Sequence, residues 1–108
     1  AQLDLSFTYG TIGSALRTAK DFQGATENYL KAIELREKIV NADDKNLFAS
    51  NALARGYQEL GRTFLVNQKY PQALEFIHKS QNIYQKIADA DVENIDKKIN
   101  KSSRRNKY

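Results

Sequence analysis

The chain has 108 residues, of which 41% are hydrophobic and 28% charged, and this composition is typical of a globular protein rather than a disordered one. It contains no cysteine and a single histidine, His78. Disulfides, a thiol nucleophile, thiolate-ligated metal centres and multi-histidine metal clusters are therefore excluded. No stretch approaches about 18 consecutive apolar residues, so the sequence predicts no membrane-spanning helix.

The formal net charge of +4 would by itself suggest a nucleic-acid partner. The positive charge is concentrated at one end, because residues 97–108, the basic tail, hold six of the 17 basic side chains and no acidic one. Residues 1–96 keep 11 basic and all 13 acidic side chains, a net charge of −2. Such a tail can bind phosphates or anionic lipid, or it can be a solvated, disordered end.

Apolar residues recur at three- and four-residue spacing through almost the whole chain, and no comparable stretch alternates with a period of two. The pattern predicts four principal helices, over residues 2–19, 22–41, 47–67 and 71–89. Two boundaries carry suitable residues, since Asp21 can cap the second helix and Pro71 fits the first turn of the fourth. The polar segment 41–46 is predicted to connect the second and third helices.

The sequence repeats itself with an offset of 48 residues. When residues 5–46 are aligned with residues 53–94, eleven of the 42 pairs are identical. The identical pairs include aromatic, glycine and alanine positions: Tyr9/Tyr57, Gly13/Gly61 and Ala25/Ala73. The repeated unit is a helical hairpin present twice, and a third unit begins near Ile95.

Each copy carries an aromatic residue, a large apolar residue followed by glycine, a second large residue, a turn with an aromatic residue, and small residues on the second helix. In the first copy these are Tyr9, Ile12–Gly13, Leu16, Phe22, Ala25 and Ala32. In the second copy they are Tyr57, Leu60–Gly61, Phe64, Tyr70, Ala73 and Ser80. This pattern resembles the tetratricopeptide repeat. The period exceeds the family's usual length of about 34 residues, as in elongated tandem repeats of bacterial multidomain proteins.

The resemblance implies an all-α fold, namely a right-handed α-solenoid of antiparallel helical hairpins with two repeats and a partial third helix or cap. The expected units are repeat 1 over residues 1–46, repeat 2 over residues 47–94, and a partial capping helix over residues 95–108. We expect the last unit to include the basic tail, disordered at its end.

Two glycines and two turn positions carry specific expectations. Gly13 and Gly61 are expected where the two helices of a hairpin come closest, because a side chain there would separate the helices. The turn position that the family usually fills with glycine holds Lys20 and Gln68. Either these residues adopt a left-handed conformation with mild strain, or the turn differs from that of the family.

The sequence shows no catalytic constellation. His78 has no serine or carboxylate at an evident partner spacing, so we interpret it as a surface or packing residue. The stretch Tyr9–Ser14 contains two glycines but lacks the Gly-Lys-Ser/Thr ending of a phosphate loop and lies inside a predicted helix. We therefore expect a protein that is not an enzyme and that uses no metal and no cofactor.

By the resemblance, the positions that face the concave groove lie between the packing residues on the first helix of each hairpin. They are Gly10, Ser14, Arg17, Asn51, Arg55, Gln58 and Arg62. The three arginines would suit bidentate contacts with the carboxylates of an acidic or C-terminal peptide. The alternative is that they pair with neighbours such as Glu59. Glu59 also departs from the lysine/asparagine clamp with which some family members bind chaperone tails.

Two aromatic residues have polar counterparts one repeat away, since Phe48 aligns with Asp96 and Phe76 with Asn28. They are candidate exposed anchors for a partner or for self-association. The alternative is that the long second helix buries them against its neighbour.

The resemblance implies a protein–protein interaction scaffold that binds a peptide or partner protein, as part of a larger bacterial multidomain or signalling protein in the cytoplasm. The alternative function is binding of nucleic acid or an anionic surface through the basic tail. Two and a fraction repeats are short for this architecture. We therefore expect a section of a longer array, with weak homodimerisation through its open ends.

Overall fold

The computed structural model describes the backbone of residues 2–105 and the side chains of residues 2–101. Over this range it contains four α-helices and no strand: α1 (Gln2–Thr18), α2 (Phe22–Ala42), α3 (Leu47–Val66) and α4 (Tyr70–Arg105). The helices pack in chain order, α1 on α2, α2 on α3 and α3 on α4. The all-α prediction is confirmed. In the described part of the chain, no helix has the length and apolar character needed to cross a membrane.

The helix starts follow the predicted capping chemistry. The Asp21 carboxylate accepts a hydrogen bond of 3.0 Å from the Gly24 amide at the start of α2. The Asn46 side chain accepts one of 3.1 Å from the Ala49 amide at the start of α3. These bonds satisfy amides that have no partner within the helix. Pro71 lies in the first turn of α4, as predicted.

The fourth helix is longer than predicted. It was expected to end at residue 89, but α4 continues to Arg105. No glycine or proline interrupts residues 72–105, and Glu93 and Lys97 form a helix-supporting ion pair of 3.4 Å. Residues 95–105, expected to form a separate capping helix with the start of the basic tail, are the end of α4. Residues 106–108, where disorder was expected, lie outside the described residues.

The two turns within the hairpins share one geometry, and this relates them across the 48-residue offset. Lys20 and Gln68 both adopt the left-handed conformation, with φ of 65° and 62°. In the first turn the amides of Lys20 and Asp21 donate to the carbonyls of Arg17 and Leu16, both at 2.9 Å. The same two bonds recur 48 residues later at 3.0 and 2.8 Å. Of the two alternatives for this position, the left-handed residue is therefore the one observed.

Both repeat glycines lie at close helix approaches, as expected. A Cβ on Gly61 would lie 2.7 Å from Ile77 Cγ1 and 3.2 Å from the Ala73 carbonyl oxygen. A Cβ on Gly13 would lie 3.1 Å from the Tyr29 ring. Tyr29 and Ile77 are themselves 48 residues apart, so the two hairpins bring equivalent positions into contact.

The core lies between α2 and α3 and extends towards α1 and α4. Its buried side chains are Ala25, Tyr29, Ile33, Leu53 and Leu60. Partly buried apolar side chains pack against them: Leu16, Val40, Tyr57, Phe64, Phe76 and Ile83. The described side chains from Ala88 to Lys101 are all exposed, so the last part of α4 lies beyond this core.

Candidate functional site

The face shared by α1 and α3 contains a cavity of about 300 Å³, here named the arginine cavity. Its walls are Phe7, Gly10, Thr11 and Ser14 of α1 and Arg55, Gly56 and Glu59 of α3. Its floor consists of two buried residues of α2, Tyr29 and Arg36. Gly10, Ser14 and Arg55, which were predicted to face a groove, therefore lie together at this cavity.

A second cavity of about 370 Å³ adjoins the first and shares Phe7 and Arg55 with it. Its other lining residues are Phe48, Asn51, Ala52 and Tyr84, and we name it the aromatic cavity. Phe48 is 66% exposed and meets Phe7 edge-on, with ring centroids 6.1 Å apart. The predicted groove residue Asn51 and the predicted anchor Phe48 thus belong to the same face as the arginine cavity.

Two of the three predicted groove arginines are engaged by Glu59. Arg17 Nη1 lies 2.9 Å from Glu59 Oε2, and Arg62 Nη1 lies 3.4 Å from Glu59 Oε1. The alternative interpretation, pairing with a neighbour, therefore describes Arg17 and Arg62. Arg55 is exposed and makes no ion pair with any residue whose side chain is described.

Arg36 is the residue of the arginine cavity that the sequence interpretation missed. It is only 4% exposed, and its guanidinium lies 4.8 Å from the centroid of the Phe7 ring. It donates hydrogen bonds to Ser6 Oγ at 3.0 Å and to the carbonyl oxygens of Ala52 at 2.8 Å and Ser6 at 3.4 Å. Burial, and secondarily the charge of Arg55, lower the pKa of Arg36.

The helical period contains a signal for this burial. Arg36 follows Tyr29 and Ile33 at the spacing of one face of α2, and all three side chains are buried. An arginine in line with a buried stripe is rare enough to mark a candidate site. The resemblance directed attention to the first helix of each hairpin, whereas Arg36 lies on the second.

The remaining predicted groove and anchor residues have different surroundings. Gln58 is half-buried and lines neither of the two cavities. The prediction of Phe76 as an exposed anchor is wrong, because its ring stacks on Tyr57 and Phe64 with centroids 6.1 and 5.6 Å away. The alternative, burial against a neighbouring helix, holds for Phe76.

Tyr57 connects this aromatic stack to α2. Its hydroxyl donates a short hydrogen bond to Glu37 Oε1. Burial, the hydrogen bond and the charge of Glu37 raise the pKa of Tyr57. The arrangement stabilises the α2–α3 contact on the side of α3 away from the arginine cavity, since none of these residues lines that cavity.

The titratable side chains elsewhere are dispersed. His78 is exposed on α4. Among the described residues, no three side chains of histidine, aspartate or glutamate come together in a way that could hold a metal ion. The cluster of charge that does converge is cationic and lies around the arginine cavity.

The chain has been compared with protein-family models, with curated proteins and with solved structures. None of the three comparisons found a match. The resemblance to the tetratricopeptide repeat rests on the residues named above, and the function has to be inferred from the geometry of the groove.

Proposed function

We propose that the chain is a protein–protein interaction module of the tetratricopeptide type, whose face shared by α1 and α3 binds an extended segment of a partner protein. The observation that carries this proposal is the pair of adjoining cavities, which share Phe7 and Arg55 and form a groove along that face. Cavities of about 300 Å³ are at the small end of the range for whole ligands and suit individual side chains of a peptide.

The charge around the groove favours an acidic partner. Four arginines, Arg17, Arg36, Arg55 and Arg62, surround a single carboxylate, that of Glu59. Residues 1–96 as a whole carry a net charge of −2, so this face is locally opposite in sign to its own domain. Complementary charge of this kind orients a partner and accelerates association.

The aromatic cavity offers the apolar part of the same interface. Phe48 combines a large ring with 66% exposure, and exposed aromatic residues beside a cavity are frequent centres of binding energy. The partner segment that best fits the face therefore carries an acidic group next to an apolar or aromatic side chain.

The proposal also includes the setting of the module. The two hairpins would form part of a right-handed solenoid within a longer array, in a cytoplasmic bacterial multidomain protein. The equivalent turns at Lys20 and Gln68 support the repeat, and the exposed apolar side chains Val92, Ile95 and Ile99 support a continuing stack. In the isolated chain these side chains would give weak homodimerisation.

A displayed library of random 12-residue peptides, panned on the purified chain, tests the groove without a known partner. Recovered peptides are measured against Arg55→Glu/Arg62→Glu and against Lys45→Glu/Lys86→Glu, a control with the same charge change outside the groove. We expect the groove variant to lose about tenfold or more in affinity and the control to keep most of it. Equal affinity for the two variants, or no enrichment at all, would contradict the proposal.

A second candidate function is favoured by the exposure of Lys97, Lys98 and Lys101 at the end of α4. They would bind the phosphates of nucleic acid or of an anionic membrane. This function requires affinity for a DNA duplex or for anionic vesicles that falls steeply with salt and is lost when residues 97–108 are deleted. If the shortened chain binds these probes as well as the full chain does, the tail is not the site.

A further inference from the structure

We propose that the arginine cavity is a carboxylate subsite, in which Arg36 and Arg55 together receive one acidic group of the bound segment. The inference rests on the proposed function and deepens it by naming the chemical group that the groove selects. Its starting point is a buried cation on α2 that no groove motif of the sequence includes.

Arg36 is a buried charge without a counter-charge among the described residues. Its three hydrogen bonds go to neutral acceptors only, namely one hydroxyl and two carbonyl oxygens. Because a guanidinium has five N–H donors, two of them remain for a further acceptor. A buried ion without a partner of opposite sign is costly, and an incoming carboxylate offsets that cost.

Arg55 is the second cation at the same cavity. It lies close enough for its charge to disfavour the protonated form of Arg36, and no described residue pairs with it. Two like charges that face one cavity repel each other in the empty protein. An anion between them removes the repulsion and can accept hydrogen bonds from both guanidinium groups.

Glu59 is the carboxylate that could compete for this position. It lines the cavity, but its two oxygens are directed to Arg17 at 2.9 Å and Arg62 at 3.4 Å. The pairing leaves Arg36 and Arg55 to an exogenous group. Glu59 thus bounds the subsite towards the C-terminal ends of α1 and α3 without filling it.

Gly10 keeps the subsite open. A Cβ at this position would lie 3.5 Å from Arg36 Nη2, an ordinary contact distance, and would project into the cavity that Gly10 lines. Glycine is unfavourable inside a helix, so its presence in the middle of α1 needs a reason. Packing supplies the reason at Gly56, where a Cβ would lie 2.9 Å from Ile33 Cγ1, but no such contact exists at Gly10.

The walls indicate how the acidic group arrives. The Phe7 and Tyr29 rings provide apolar sides for the methylene groups next to a carboxylate, while the Ser14 hydroxyl is held by Tyr29 Oη at 2.6 Å. A side-chain carboxylate of aspartate or glutamate and a C-terminal carboxylate share this chemistry. The test below separates the two sources.

Three dipeptide probes test the subsite: acetyl-Phe-Glu-amide, acetyl-Phe-Gln-amide, and acetyl-Phe-Gly with a free C-terminal carboxylate. Each is titrated into the full chain while the arginine Nε–H resonances are followed by NMR. We expect saturable shifts of Arg36 and Arg55 with one or both carboxylate probes and none with the uncharged glutamine probe. Equal shifts with all three probes, or no shift with any, would overturn the inference.

Two variants separate binding from folding. Arg55→Gln should weaken the responding probe about tenfold or more, whereas Lys45→Gln, an exposed change in the α2–α3 connection, should leave its affinity unchanged. Gly10→Ala should weaken the same probe while melting no lower than the wild type. Wild-type affinity in both Arg55→Gln and Gly10→Ala would refute the subsite.

Failure of the subsite is distinguishable from failure of the proposed function. If panned peptides depend on Arg55 and Arg62 but the glutamate and glutamine probes behave alike, the groove binds segments without a carboxylate subsite. If panning also yields no groove-dependent peptide, the proposed function fails with it.

Discussion

Arg17 of α1 and Glu59 of α3 form an ion pair of 2.9 Å that joins the first hairpin to the second. The same guanidinium also donates a hydrogen bond of 3.3 Å to the Glu59 carbonyl oxygen. Both side chains are about one-fifth exposed, at 21% and 22%, so the pair is only partly screened by water. It neutralises the one carboxylate of the groove and so determines that Arg55 and the buried Arg36 remain for a ligand.

Glu59→Gln should strengthen binding of acidic peptides, because it releases Arg17 and Arg62 towards the groove. It should lower the free energy of unfolding by only about 0.5–1 kcal/mol, the usual range for partly exposed ion pairs. Peptide anisotropy at low and high salt, together with urea denaturation, measures both effects. Glu34→Gln, which removes an exposed 3.7 Å pair with Lys38, is the control and should change neither by a comparable amount. Weaker acidic-peptide binding in Glu59→Gln would contradict the electrostatic account of the groove.

Gly61→Ala should destabilise the chain by about 1–3 kcal/mol, because the added Cβ would lie 2.7 Å from Ile77 Cγ1 and 3.2 Å from the Ala73 carbonyl. Gly10→Ala is the matched control, with its nearest contact at 3.5 Å, and should be neutral or stabilising by up to about 1 kcal/mol. Thermal and urea unfolding compare the two variants. A Gly61→Ala protein as stable as Gly10→Ala would show that α3 and α4 do not approach as closely as the structure has them.

Tyr57→Phe should cost about 1 kcal/mol at neutral pH, because it removes a hydrogen bond to the half-buried carboxylate of Glu37. The folded protein raises the pKa of Tyr57, so the folded state favours the protonated phenol. The contribution is therefore complete below the unfolded pKa of about 10 and is lost as pH rises through the folded value.

The difference in unfolding free energy between wild type and Tyr57→Phe should accordingly shrink as the pH is raised from neutral to strongly alkaline. Tyr70→Phe, at an exposed tyrosine at the start of α4, controls for the general effect of removing a phenol. A difference that stays constant or grows with pH would mean that the Tyr57–Glu37 hydrogen bond does not contribute as the structure indicates.

The exposed apolar side chains at the end of α4 should cause weak self-association of the isolated chain. Val92, Ile95 and Ile99 are 65%, 56% and 56% exposed and recur at helical spacing. Sedimentation velocity should show a mean mass that rises between micromolar and millimolar concentration and that Val92→Ser/Ile95→Ser/Ile99→Ser abolishes. Leu74→Ser, at another exposed position of α4, should keep the association. A wild-type chain that is monomeric throughout would exclude the open-end dimer.

Local chemistry made the helices and their starts predictable from the sequence. Asp21 caps α2 and Pro71 begins α4 because these residue types act within one turn of their own position. The end of α4 was not predictable from the repeat, because Val92 and Glu93 replace Asp44 and Lys45 of the first copy and let the helix continue. Here local helix propensity outweighs the similarity between the copies.

The candidate site was predictable only in part, because its charge pattern depends on contacts between helices. Spacing placed Ser14 and Arg55 on one face, and both line the arginine cavity. Spacing could not decide which arginines Glu59 would take, since Arg17 belongs to a different helix. Arg36 was missed because its partners, Ser6 and Ala52, lie 30 and 16 residues away along the chain.

The most direct test of the central claim, that the α1–α3 face binds the partner segment, uses the absence of cysteine from the natural sequence. Single cysteines are introduced at Asn51, which lines the aromatic cavity, and at Gln81, which is exposed on α4. Each variant is labelled with a maleimide with and without a saturating peptide recovered by panning. We predict that the peptide slows labelling of Asn51→Cys and leaves the labelling rate of Gln81→Cys unchanged. Protection of Gln81→Cys alone, or of neither cysteine, would contradict the claim.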